Sequence, residues 1–185
     1  SFHAVLKQRV QKYFEEKQTA TTGGWRILSK AIILVAALTA VYIVLMAVAM
    51  PVWLSLVLCG LMGLLIATIG FNIMHDGGHG SFSKHAFINK LAALTLNILG
   101  GSAYMWNQKH NVIHHAYTNV HEVDDDLDAG ILLRMSKHQQ KLGIHKVQHF
   151  YFWFLYCLLY LFWIFYSDFG KYFKGRIGTV PLSKM

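Results

Sequence analysis

The chain has 185 residues, of which 55% are hydrophobic and 14% charged, a balance that excludes an ordinary soluble domain and fits a multi-pass membrane protein. Its net charge is +8, but the lysines and arginines sit in blocks that flank apolar stretches. That argues against nucleic acid as a partner and for anionic lipid headgroups or an acidic protein. After Lys30 the next fixed charge is Asp76, which leaves 45 consecutive residues without one. Cys59 and Cys157 each lie in an apolar run with no Cys or His beside them and read as small buried hydrophobes.

Residues 4–18 carry an apolar stripe of Leu6, Val10, Tyr13 and Phe14 at helical spacing, which predicts an amphipathic helix lying on the membrane or on the rest of the protein. The run from Ala31 to Met74 has 44 residues; as one helix it would measure about 66 Å, two crossings of a ~30 Å hydrocarbon core. Met50-Pro51 is the natural hairpin point, so transmembrane spans are expected at 31–50 and 53–74. The basic residues lie outside both spans and none between them, which orients both outer flanks to the cytoplasm. Phe87, Leu91, Leu94 and Ile98 recur at helical spacing, but the stretch is diluted by Asn97 and two glycines; residues 85–103 read as an interfacial helix. Residues 148–166 are oily and rich in aromatics, either transmembrane or re-entrant. The expected fold is all-α: a multi-pass membrane protein with helical spans and a cytoplasmic histidine-rich cap, the whole of 1–185 forming one domain.

Five of the eleven histidines fall in two tight clusters, each beside an apolar segment. The first is His75-Asp76-Gly77-Gly78-His79. If the second span continues by one turn, His75 and His79 share a helix face. The second is His110-Asn111-Val112-Ile113-His114-His115. In an α-helix His110 and His114 again share a face, and His115 is turned about 100° away. Imidazole-rich sites suit iron and oxygen chemistry, but also zinc, copper and nickel.

With their neighbours the clusters decide further. His75-Asp76-Gly77-Gly78-His79-Gly80-Ser81-Phe82-Ser83, followed by Trp106-Asn107-Gln108-Lys109-His110 and His114-His115-Ala116-Tyr117-Thr118-Asn119, closely resembles the membrane fatty acid desaturases, whose first two histidine boxes read His-x3-His and His-x3-His-His. The opening Leu6-Lys7-x-Arg9-Val10 and the run Asp124-Asp125-Asp126-Leu127-Asp128 resemble the bacterial linoleoyl-CoA desaturase-like, front-end branch. The resemblance implies two non-haem iron ions, with O2 as co-substrate. The metal ligands would be His75, His79, His110, His114 and His115. The product would be a new double bond in a long-chain acyl group, carried as acyl-CoA or acyl-lipid. It also implies an external electron donor, such as a small cytochrome or ferredoxin. The bacterial inner membrane is the expected location, with the histidine boxes cytoplasmic. A third box of the family is not matched by His138, His145 or His149, and none follows. The chain, which opens on Ser1, is therefore expected to be an N-terminal part, inactive alone.

Other residues carry two readings. Asp76 either accepts the far N–H of a ligand imidazole or caps the next segment. His121 is a candidate for a sixth ligand or for a shell behind the ligands, Asp124 for that shell, Asn72 for that shell or for a helix–helix contact, and Trp106 for the wall of a substrate tunnel or a membrane anchor. Gly77 and Gly78 would permit close packing around the site. His85, His138, His145 and His149 read as surface residues. Asp124-x-Asp126-x-Asp128 fails as a calcium loop, because Ala129 stands where glycine is needed, and reads as a loop-ordering acidic patch. Two further functions compete with desaturation: a fatty-acyl or lipid hydroxylase or ketolase on the same scaffold, and a non-enzymatic membrane metal-binding protein.

Overall fold

The computed structural model describes residues 1–127 and 130–182. The chain is mostly helical, with one two-stranded ribbon near its end, and divides into two compact units, residues 1–95 and 96–185. Among the described residues three helical segments are long and apolar enough to cross a membrane: Gly24–Ala47, Val52–Gly78 and Gly143–Lys174. The protein is an all-α membrane protein.

In the first unit, helix α1 (Phe2–Lys17) buries none of its residues and ends at Gln18 in the left-handed conformation. Helix α2 (Gly24–Ala47) and helix α3 (Val52–Ile69) pack side by side, joined by a short link that ends in Pro51. Helix α2 begins seven residues before the expected span at 31, because a helix can run on past its apolar stretch. Ile33, Trp53, Leu56 and Leu64 are exposed on this pair, as residues facing lipid should be. Cys59 and Cys157 are exposed as well, contrary to the expectation of burial. On a membrane helix the outer face is itself apolar, so a small hydrophobe need not be inside.

Helix α3 does not stop at Ile69. It passes through a π-helical turn, Gly70–Met74, where the His75 N–H reaches back five residues to the Gly70 carbonyl. It then resumes as α4 (His75–Gly78). Within the π turn Asn72 is fully engaged: its Oδ1 accepts from Lys30 Nζ at 2.6 Å and its Nδ2 donates to the Thr68 carbonyl at 2.8 Å. A lysine amine on α2 thus finds a partner where the helix pair is otherwise apolar.

Helix α5 (Ala86–Ile98) has 13 residues, about 20 Å, short of a ~30 Å core. Its buried Asn89 organises the preceding loop: Nδ2 donates to the carbonyls of Gly80 and Ser83, and Oδ1 accepts from the Ser83 N–H at 2.7 Å. Gly77 is pressed against α5. A Cβ built there would lie 2.6 Å from Ala92 Cβ, 2.6 Å from Ala93 N and 2.7 Å from the Asn89 carbonyl.

In the second unit, the Ser102 hydroxyl caps α6 (Ala103–Trp106) by accepting from the Met105 N–H at 3.2 Å. Helix α6 runs directly into an eight-residue π-helical stretch, Asn107–His114. A short 3-10 turn follows at Asp125–Leu127. The long segment Gly143–Lys174 contains the expected run 148–166 and comprises a 3-10 turn, α7 (Gln148–Phe162), a third π turn (Trp163–Ser167) and α8 (Asp168–Lys174). Tyr160 Oη donates to the Leu99 carbonyl at 2.7 Å and ties α7 to the start of the unit. Strands β1 (Arg176–Ile177) and β2 (Val180–Pro181) pair antiparallel. They deliver Ile177, fully buried, against Met105 and Ile113 beneath the π-helical stretch.

Gly77→Ala should destabilise the protein by about 2 kcal/mol or more, because two of the three atoms its methyl would meet are backbone and cannot rotate away. Gly60, on α3, has open space at the same position, and Gly60→Ala should be neutral or stabilising by up to about 1 kcal/mol. Thermal unfolding of the two variants in detergent checks the contrast.

Candidate metal centre

Helix α4 presents the first histidine pair. The His79 N–H bonds to the His75 carbonyl at 3.0 Å, an α-helical step that stacks the two side chains on one face. Their rings meet edge to face, centroids 4.4 Å apart. The Asp76 carboxylate is 3.8 Å from His75 Nδ1, too long for a hydrogen bond. Its backbone carbonyl accepts from the Ser81 and Phe82 N–H groups and from the Ser81 hydroxyl, so Asp76 closes the turn that follows α4.

The second cluster departs from the α-helical expectation. Because Asn107–His114 is π-helical, the His115 N–H bonds to the His110 carbonyl five residues back, at 3.1 Å. His115 is therefore not turned away. Its Nε2 lies 3.3 Å from His110 Nε2, and the rings stand nearly perpendicular. Two ring nitrogens at that separation share a proton or, deprotonated, can aim at one cation. His110 is sandwiched between the buried Trp106 indole, 4.6 Å away and nearly parallel, and the His114 ring at 5.4 Å. Trp106 thus packs directly on a candidate ligand.

Asp124 fixes His114. Its carboxylate is buried, and both oxygens lie 3.1 Å from His114 Nδ1. Asp126 Oδ2 approaches the same nitrogen at 3.2 Å. Asp124 also accepts from the Asn119 N–H at 2.7 Å and the Asp126 N–H at 3.1 Å. Asn119 holds a left-handed backbone, a conformation asparagine tolerates better than most residues. Burial disfavours the charge on Asp124, yet these hydrogen bonds and the nearby imidazole outweigh it and hold its carboxyl below the usual range. A neutral imidazole that donates its Nδ1–H to a carboxylate keeps the Nε2 lone pair for a metal.

Lys109, beside His110, pairs with Asp126 at 2.7 Å and lies 3.7 Å from Asp125. Burial opposes its charge, but the bond to Asp126 and the surrounding aspartates outweigh that and raise its ammonium above the usual lysine range. Asp125 is also bonded by Lys171 from α8. Lys171 lies 46 residues from Asp125 in the chain, and local sequence carried no signal of the pairing. The only hint was a lysine near the end of an oily helix, opposite three consecutive aspartates that need counter-charge.

The remaining candidates have other partners. His121 packs against the His138 ring at 5.0 Å and lies 3.9 Å from Glu122. His145 spends both ring nitrogens on backbone, Nε2 with the Ile131 carbonyl and Nδ1 with the Leu142 N–H. His85 is exposed, and His149 lies against Phe150. Asp128 and Ala129 fall outside the described residues. Within its own unit each cluster gathers its histidines, and the second adds two carboxylates with ligand atoms close enough to hold an ion. The clustered imidazoles are donors that fit a non-haem iron centre, with Asp124 and Asp126 at His114 Nδ1 to orient that ring.

Asp124→Leu should cost about 1–3 kcal/mol, since it removes the acceptor shared by the Asn119 N–H, the Asp126 N–H and the His114 ring. Asp124→Asn should fold but bind metal roughly 10–100-fold more weakly. Thermal unfolding and a metal titration read the two effects separately.

The fatty acid desaturase family model matches residues 50–183. Among curated relatives, the chain is 32% identical over 162 residues to the sn-1 linoleoyl-lipid 6-desaturase of Arthrospira platensis, covering 88% of this chain and 44% of that protein. It is 31% identical to the sn-1 linoleoyl-lipid 6-desaturase of Synechocystis sp., covering 95% and 50%. It is 34% identical to the acyl-lipid (8-3)-desaturase of Physcomitrium patens, covering 100% and 39%. The chain thus spans half the length of these relatives or less. No solved structure matches it. The family match over most of the chain, including both histidine clusters, shows that the chain belongs to the fatty acid desaturase family.

Proposed function

We propose that the protein is an oxygen-dependent desaturase that places a double bond in a long-chain acyl group of a membrane lipid. In this reading His75, His79, His110, His114 and His115 ligate two irons on the cytoplasmic side of the membrane. The observation that carries the proposal is the second cluster: His110 and His115 bring their Nε2 atoms to 3.3 Å, and Asp124 leaves His114 with one nitrogen to offer. The names of the relatives, which act on acyl lipids, favour an acyl-lipid over an acyl-CoA.

Bound iron would supply the activation of O2 that no side chain provides. The chain's own residues orient and shield. Asp124 and Asp126 fix the tautomer of His114. Trp106, stacked on His110, would wall the acyl chain and keep water from the ring behind it. Asp76 ends α4 at the His79 turn and so sets where the first pair emerges. Electrons would arrive from a small acidic cytochrome or ferredoxin, attracted by the basic flanks of the spans.

Expression of the complete reading frame in a host membrane with a donor should yield a new double bond detectable by mass spectrometry of the fatty acids. His110→Ala and His75→Ala should each abolish it while membrane insertion persists. A hydroxylated product, or stoichiometric zinc with full activity in the absence of oxygen, would sink the proposal.

A further inference from the structure

The eight-residue π-helical stretch that carries the second cluster needs a restraint of its own. Such stretches are uncommon because the α-helical alternative is usually better bonded, and they persist where tertiary contacts impose them. The apolar side of this one is held by Met105, Ile113 and Ile177. On the polar side Lys109 belongs to the stretch itself, and it reaches Asp125 and Asp126 in the 3-10 turn. Asp125 is then gripped by Lys171 on α8.

Consecutive aspartates thereby divide their roles. Asp124 and Asp126 meet His114, while Asp125 meets two lysines, Lys109 and Lys171. Its side chain and that of Lys171 are each 17% exposed, too enclosed for the pair to be an ordinary solvated ion pair. The segment bearing Lys171 is itself braced one turn earlier, where Trp163 Nε1 donates to Asp168 Oδ1 at 2.8 Å across a π turn.

We infer that Asp125 and Lys171 are positioning residues that hold the π-helical arrangement of His110, His114 and His115 by tying it, through Lys109, to the long segment ending in α8. The inference rests on the metal-centre reading above for its consequence, but not for its structural content.

The test uses the full-length protein in lipid nanodiscs. Hydrogen–deuterium exchange is measured on the metal-free form, and Fe(II) is titrated separately. Lys171→Met should raise exchange of the amides of residues 107–115 by about tenfold or more, while helices α2 and α3 keep their protection. It should weaken Fe(II) binding roughly 10–100-fold. Lys171→Arg, which keeps the charge, should restore both. Asp125→Asn should behave like Lys171→Met, and the double variant should be no worse than the weaker single, because each acts through the other. Wild-type exchange at 107–115 in either single variant would overturn the inference, as would additive effects in the double. If Lys171→Met does not fold, the near-isosteric Asp125→Asn decides by the same criteria. His114→Ala separates the two readings: should it keep iron, the metal centre is wrong, and the exchange data still judge the positioning role.

Discussion

The bond from the His115 N–H to the His110 carbonyl, five residues back, sets the geometry on which the candidate centre depends. An α-helix through the same residues would keep His110 and His114 in line but swing His115 about 100° aside. The wider turn brings three imidazoles and the Trp106 indole into one stack and corner. That geometry is held from two directions. Below, Ile113 is buried against Met105 and Ile177; beside it, Asp124 grips His114 through hydrogen bonds that also tie down Asn119.

Charge next to an oily chain is tolerated only under strict conditions. An unpaired charge in a buried setting costs several kcal/mol, whereas a solvated ion pair contributes about 0–1 kcal/mol. The aspartates at 124–126 lie between these limits, with side chains from 1% to 38% exposed. Each is matched to a lysine, an imidazole or a backbone N–H. The same rule explains Lys30, whose amine would be unpaired among apolar helices without Asn72. Ion pairing here serves placement more than stability, since apolar residues could fill the space but could not orient a ring.

Much of the fold was legible in the sequence because membranes impose simple patterns. A 45-residue stretch without fixed charge broken at Pro51 reads as two helices, and His-x3-His reads as one face of the second helix continued by a turn. Asp124 was legible as a candidate partner of the histidine cluster, though not the nitrogen it would meet. The π-helical turns were not legible, because hydrophobic periodicity over five to eight residues cannot separate 3.6 residues per turn from a wider helix. Nor was Lys171, since long-range ion pairs leave no local pattern. The cysteines misled for a different reason: the burial rule assumes water outside, and here the outside is lipid.

Two of the three π turns among the described residues share a position that suggests why they are there. One, Gly70–Met74, immediately precedes His75; another carries His110 and His114; the third, Trp163–Ser167, immediately precedes Asp168. A π turn inserts one residue into the α-helical ladder and so rotates everything after it by about 100°. Upstream of the first and third, the helix is long and apolar enough to cross a membrane and must keep apolar side chains outward, because lipid offers no partner to a polar group; the second follows only the short α6, whose Met105 and Trp106 are buried, and is held by those packing contacts instead. Downstream, the sequence turns polar, and those groups must face away from lipid. A single uninterrupted helix would have to change the composition of its faces abruptly at the boundary. The inserted residue lets the face change instead, so the apolar helix continues to its end and His75 or Asp168 begins already turned to the face it must occupy.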